Sequence, residues 1–498
     1  MIEASKEAFF TQSIGTFEHS NNIKDRHGKC FIDAEETRWM ISRRTALTMI
    51  AGAAAAGAVP RPVLAAAQGF STIDLRGSID AGAHGVTPDG GDKQNRKLAE
   101  IIAKAARQNM PVFLPPGNYP VSNLDLPEGT RMTGVAGASR LVYSGGGRML
   151  TADGARRIEL SNIVIDGANR GLDDQSPALV TMRGIREIII DNCEITGARK
   201  TAVQLERCGG RIERSRISGA AEYGLYAVES TGLSVTGNTV SDCDNGGILI
   251  HRWSKGSDGT IVSGNRISRI GATNGGTGQF GNAINLFRAG NVMVTGNQIS
   301  HSAFSAIRAN SASNAQIANN TCLASGETAI YAEFAFEGAL VSGNIVDGAA
   351  NGISVVNFNE GGRLATVAGN IVRNLTPTGP YVLDGAIFGV GISVEADTAV
   401  TGNVIENVPL WGMALGFGPY LRNVLASNNI VRQAKVGCAV TVVEGAGGAL
   451  ISGNLFEAVK DGAVIGYRWK TPSTTELARG DGQAQGFKHL TIANNRIV

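Results

Sequence analysis

One phrase recurs along the chain and restricts what it can fold into: VTGNTV at 235–240, VSGNRI at 262–267 and VTGNQI at 294–299. A catalytic group is needed once per site, whereas a phrase repeated at intervals is architecture. With Asn162, Asn192, Asn238, Asn265, Asn297, Asn320, Asn344, Asn370, Asn403, Asn429, Asn454 and Asn495 as markers, and Ser215 filling one gap, the spacing runs from 23 to 33 residues. The last interval widens to 41 around the polar insertion TPSTTELARGDGQAQG. A period in the twenties signals a stacked repeat.

Each unit contains an alternating apolar stretch such as LSVTGN, a second such as TVSDC, a glycine-rich turn and a third such as GGILIHR. Alternation at period two marks half-buried strands. Three short strands per unit describe one coil of a parallel β-helix, in which every strand pairs with its counterparts one coil up and one coil down. The L-x-x-L-x-L spacing of a leucine-rich horseshoe is absent, and a propeller blade needs about 40 residues or more. The expected fold class is therefore all-β, a single-stranded right-handed parallel β-helix of about 12–13 coils. In this scheme Gly-Asn is the turn between the first two strands. Glycine accepts positive φ, Asn tolerates the left-handed region, and stacked Asn side chains can bond to their equivalents.

Composition agrees with this picture. The 66 glycines among 498 residues are nearly twice the usual share, and charged residues are sparse at 18%. Lys and Arg total 45 against 43 Asp and Glu, which gives no electrostatic reason to expect nucleic acid as a partner. Cysteines at 30, 193, 208, 243, 322 and 438 show no C-x-x-C and no zinc spacing, and read as small buried residues.

The stretch SRRTALTMIAGAAAAGAVPRPVLAAAQ, 42–68, carries paired charge, an apolar run too short for a stable membrane span, and an A-x-A exit at Ala65 and Ala67. It resembles a twin-arginine signal, so Arg43 and Arg44 are expected to engage that export machinery, leaving a periplasmic or secreted protein with no membrane span. Met40 directly precedes it. Residues 1–39 are accordingly read as an over-extended reading frame, 40–67 as the signal peptide, 68–158 as an N-terminal cap with the first coils, and 159–498 as the repeats.

Within the cap, DKQNRKLAEIIAKAARQN places Leu98, Ile101, Ile102, Ala105 and Ala106 on one helical face, with Asp92 as the expected N-cap. AGAHGVTPDGG, this helix and PVFLPPGNY together resemble the N-terminal cap of the pectate-lyase-like superfamily of right-handed β-helix proteins. With the export signal and the GN repeats, the chain is also similar to a group of exported bacterial repeat proteins. The resemblance covers 42–498 and implies the fold. It implies no single chemistry, because the superfamily holds lyases, hydrolases, epimerases, esterases and binding proteins.

No P-loop, H-E-x-x-H or dinucleotide fingerprint is present, and the catalytic motifs of the superfamily's pectinases and epimerases have no match here. Candidate residues therefore come from stacking alone. Aligning the third strands gives two outward columns, Gln204, Tyr226, Leu249, Asn285, Arg308, Tyr331, Ser354, Ser393 and Glu206, Val228, His251, Phe287, Asn310, Glu333, Val356, Glu395. From these, His251, Arg308, Tyr331 and Glu333 are expected to carry catalysis. Arg308 would neutralise a uronate, and the other three would exchange protons. Glu206, Tyr226, Asn285, Phe287 and Asn310 are expected to bind substrate. The plainer alternative is a solvated outer face in which Arg308 simply pairs with Glu333. Asp242 and Asp244 in SDCDNGG read as a turn rather than a calcium site, since no further oxygen ligands can be placed, and no cofactor is expected. The functional expectation is action on, or binding of, an acidic polysaccharide or envelope glycan, with lyase-like, epimerase-like and hydrolase chemistry all left open. The alternative is a non-catalytic envelope or interaction protein.

Overall fold

The structure, a computed structural model, describes residues 77–276, 278–381, 387–479 and 486–498. The expected over-extended frame at 1–39, Cys30, the expected twin-arginine segment 40–67 and the start of the expected cap at 68–76 lie outside the described residues.

Alternation along the chain becomes a stack in register. The inward column Val235, Val262, Val294, Ile317, Val341, Val367, Val400, Ala426 and Ile451 is paired coil by coil, parallel throughout. All nine are essentially inaccessible. Burial of one such side chain contributes roughly 1.5–3 kcal/mol, which is what holds each coil to the next. The strand preceding each Gly-Asn turn belongs to a sheet of 16 strands. The two strands after it share a second sheet of 26, because in several coils one strand, such as Thr321–Glu333 or Val404–Leu415, runs unbroken around the corner. The parallel solenoid has about 14 turns. The excess over 12–13 arises because the cap strands Ile79–Asp80, Val112–Phe113 and Arg131–Thr133 stack in the same sheet as the repeats. The last full coil adds an antiparallel hairpin, Gly462–Arg468 with Thr471–Glu476.

The cap helix spans Asp92–Arg107 and buries Leu98, Ile101, Ile102 and Ala105. Ala106 is half-buried. The N-cap is Gly91 rather than Asp92, which is already the first helical residue.

At the Gly-Asn turn the two residues divide their work. The first holds a left-handed backbone, φ +67° at Gly237, +63° at Gly264 and +57° at Asn319. The second is the ladder residue, an unbroken file from Asn238 to Asn495 in which each Asn donates its main-chain and side-chain N–H to the next Asn Oδ1. Asn162 and Asn192 are therefore misplaced as markers. At φ +57° and +50° they occupy the glycine position, and Cys193 stands in the ladder, its N–H donating to Ser215 Oγ. All five described cysteines are free and buried, as expected.

In Asn344→Ala, the Asn320 N–H and the Ile317 carbonyl lose their partners inside the wall. Leaving buried groups unpaired costs about 1–3 kcal/mol, so the urea midpoint is expected to fall accordingly. A shift below about 0.5 kcal/mol would mean that the ladder is decorative.

Candidate functional site

Both outward columns form in the order read from the sequence. Gln204, Tyr226, Leu249, Asn285, Arg308, Tyr331, Ser354 and Ser393 are register partners in turn, and beside them run Glu206, Val228, His251, Phe287, Asn310 and Glu333. The alternating inward residues, Ile250, Leu286, Ala309 and Ala332, fill the core and force their neighbours outward.

The middle of this wall is nevertheless not solvated. His251 is 9% exposed, Asn285 2%, Arg308 7% and Glu333 2%. The chain leaves the repeat on both margins. Between second and third strands, 278–281 approaches the wall, where Asn285 Nδ2 donates to the Gly278 carbonyl at 3.3 Å and Phe280 stacks on Tyr223. In a later coil the same turn brings Tyr381 against Phe304 and Phe388. On the opposite margin a bulge at Arg252–Lys255 leans across the coils.

Arg308 is the centre of a buried charge cluster. Its Nε donates to Glu333 Oε1 at 2.6 Å and its Nη2 to Glu333 Oε2 at 3.1 Å, while Asn310 Nδ2 also donates to Oε1, at 3.1 Å. The guanidinium lies 5.2 Å from the Tyr331 ring centre. Its Nη1 is 3.9 Å from Glu327 Oε2, and neither atom has a hydrogen-bond partner. Glu327 Oε1 accepts the Tyr381 hydroxyl. Burial raises the pKa of Glu327 above the usual carboxylate range.

His251 is held differently. Its Nε2 is 2.7 Å from Asn285 Oδ1, and the ring sits edge-on to Tyr226 and beside Phe287. Burial pushes its pKa down to about 4, so the imidazole is neutral at ordinary pH. Glu206 is clasped by Arg183 and Arg207.

The open part of the wall lies further along. A cavity of about 220 Å³ is lined by Tyr331, Ser354, Ser393, Glu395, Trp411 and Phe417 among others. It shares Ile387 and Trp411 with a cleft of about 700 Å³ bordered by Lys435, Asp461, Tyr467, Lys470 and Glu476. Trp411 and Tyr467 meet edge-to-face, 4.7 Å between centres. Glu395 accepts the Phe358 N–H at 2.6 Å, no cation pairs with it among the described residues, and burial raises its pKa to about 7.

Of the nine predicted site residues, Tyr331 alone borders the cavity. Arg308, Glu333 and Asn310 form the charged floor beside it. His251, Asn285, Phe287 and Tyr226 make a separate aromatic cluster, and Glu206 lies beyond that. Glu327, Tyr381 and Glu395 were not singled out. Glu395 was already in the outward column, but Glu327 and Tyr381 reach the wall from a strand corner and an insertion, which stacking does not reveal.

Two family profiles match the chain. One is described as a right handed beta helix region, over 178–272, and the other as periplasmic copper-binding protein (NosD), over 259–483. No curated protein sequence matches it. Among solved structures, an N-terminal fragment of bacteriophage phi29 gene product 12 is 15% identical with a TM-score of 0.49, covering 82% of this chain and 76% of that one. The pre-mature form of the same phage protein is 15% identical with a TM-score of 0.46, covering 79% of this chain, which spans only 64% of its length. The catalytic unit of an α-1,3-glucanase from Streptomyces thermodiastaticus is 15% identical with a TM-score of 0.43, covering 80% and 71%.

The residues do not fit a copper centre. The NosD-matched span holds one histidine, His301, and its cysteines Cys322 and Cys438 point into the core. Among the described residues no group of three or more His, Cys, Asp and Glu could hold a metal, and Asp242 is taken by Arg269 at 2.6 and 2.7 Å. By its register and by the profile match, the chain is a right-handed parallel β-helix protein with one partly enclosed outer wall.

Proposed function

We propose that this protein is exported and acts on an acidic polysaccharide, bound in the cleft between Tyr331 and Tyr467. The observation that carries the reading is Glu395. A carboxyl group with no cation paired to it among the described residues, its pKa raised by burial to about 7, lines a cavity that Tyr331 also lines. Such a group suits delivery of a proton to a leaving glycosidic oxygen, whether the bond breaks by elimination or by hydrolysis. Trp411 and Tyr467, buried against each other, give the cleft an apolar floor, and Lys470, with Lys435 beside Asp461, borders it as a cation for uronate carboxylates. Arg308 serves as a fixed positive charge under Tyr331 rather than as a free clamp, because Glu333 occupies two of its nitrogens. Export through Arg43 and Arg44 belongs to the same reading, supported by the signal-like sequence and by a matching family described as periplasmic.

A binding-only role on an envelope surface is the second reading, favoured by the saturation of Glu333, whose oxygens accept from Arg308 and Asn310. Polygalacturonate, alginate and hyaluronan separate the two. Turnover, seen as new reducing ends or as the absorbance of an unsaturated product, is expected for the enzyme, with a fall of about 10²-fold or more in kcat for Tyr331→Phe. Binding without product in every case would leave the non-catalytic reading standing.

A further inference from the structure

The strand Gly246–Ser257 carries a wide bulge at one margin of the wall. His251 pairs with Phe287, but the next pair is Gly256 with Ala289, so four residues, Arg252–Lys255, stand out from the sheet against one on the neighbouring coil. Bulges of this kind re-aim side chains. This one presents Trp253, 54% exposed, at the rim of the wall. Its backbone is pinned rather than loose. The Trp253 N–H donates to Glu229 Oε1 at 2.6 Å, Arg252 bonds the other oxygen of Glu229 at 2.9 Å, and Arg288 Nη1 donates to the Trp253 carbonyl. At the bulge's far side Lys255 Nζ reaches the carbonyl of Ala335 in the coil of Glu333.

The charge around the indole is uneven. Arg207 lies 5.5 Å over its ring and is neutralised by Glu206. Arg288 and Lys255 have no carboxylate within salt-bridge distance among the described residues; both donate to main-chain carbonyls, and Arg288 also lies 4.7 Å over the Phe287 ring. A rigid exposed aromatic face flanked by two uncompensated cations matches one chemistry well, that of a sugar ring bearing carboxylates. The ring packs on the indole and the anions meet the cations.

We infer that Trp253, Arg288 and Lys255 form an outer subsite for an acidic glycan whose chain runs along the helix axis toward the cleft. This rests on the reading of the cleft given above. Trp253 leaves the strand of His251, three register steps before Tyr331 and five before Ser393, the neighbour of Glu395. At ~4.8 Å per coil the subsite lies about 14 Å from Tyr331 and about 24 Å from Glu395, and the second distance is too far for a trisaccharide to span.

Equilibrium binding of polygalacturonate, alginate and hyaluronan, each beside its own trisaccharide, to the full chain tests the assignment. For at least one of them the polymer is expected to bind at least tenfold more tightly than the trisaccharide. Trp253→Ala is expected to remove about tenfold of polymer affinity while changing trisaccharide affinity less than twofold, and Trp253→Tyr, which keeps an aromatic face, to recover most of the loss. Arg288→Gln with Lys255→Gln is expected to flatten the salt dependence of polymer binding. Equal affinity for polymer and trisaccharide, or a Trp253→Ala variant that melts like wild type and holds polymer unchanged, would overturn the subsite while leaving the cleft reading intact. Failure of every glycan to bind the unaltered protein would overturn both.

Discussion

Arg308→Ala is expected to destabilise the protein by about 3–5 kcal/mol, the cost of leaving a buried charge without its partner. Glu333 is 2% exposed and accepts two of its three hydrogen bonds from this guanidinium, and the nearby Glu327 is 3% exposed. Without the cation, the two buried carboxyl groups that flank it are left with no compensating charge. Soluble yield and the urea midpoint should therefore fall together, and any loss of activity in this variant reports folding before chemistry. Adding Glu333→Gln to Arg308→Ala removes one of the stranded charges and should restore a substantial part of the loss. A single variant that unfolds within about 1 kcal/mol of wild type would show that water reaches the cluster and that the charges are solvated after all.

Glu395→Gln is expected to lower turnover by about 10²- to 10⁴-fold, the usual contribution of one positioned acid, with little change in polymer affinity. Its stability should move the other way. Burial raises the Glu395 pKa from about 4.5 to about 7. The native state therefore favours the protonated form, and stability present below about pH 4.5 is lost as pH rises through about 7. A shift of that size corresponds to roughly 3 kcal/mol, or about 3 °C in a chain of this length. Glutamine cannot ionise and escapes that loss. The two proteins should melt together at pH 4 and separate at pH 8.5, with the variant the more stable. The pH profile of kcat should lose its alkaline limb near 7 with the variant's residual activity. Identical melting at both pH values would place Glu395 in water and remove the proton donor from the cleft.

Much of the fold was legible because a stacked repeat writes its geometry into the sequence. The Gly-Asn phrase identified the turn, and alternation identified the inward column that Val262, Val294 and Ile317 now fill. The one slip in the ladder, at Asn162 and Asn192, came from a residue type that serves either turn position. Asn tolerates positive φ as well as offering an amide to its neighbour. The N-cap at Gly91 rather than Asp92 is a difference of one residue at a helix end, where propensity discriminates poorly.

The candidate site was less legible. His251 and Arg308 were correctly placed on one wall, but their titration and partners depend on what covers that wall. Neutral His251 and the Arg308–Glu333 pair owe their state to burial, on a wall approached by 278–281, by Tyr381 and by the bulge at Arg252–Lys255. None of these segments repeats, so no periodicity announces them.

The sequence by itself determined the parallel stack and which residues share a column, because strand pairing at a fixed period leaves one register that buries the apolar positions. Only the tertiary structure decided which part of the outer face is dry, which carboxyl stands without a cation and where a cleft opens. Those properties come from irregular insertions folding back over the wall, and desolvation is a property of the space around a group rather than of its position in the chain.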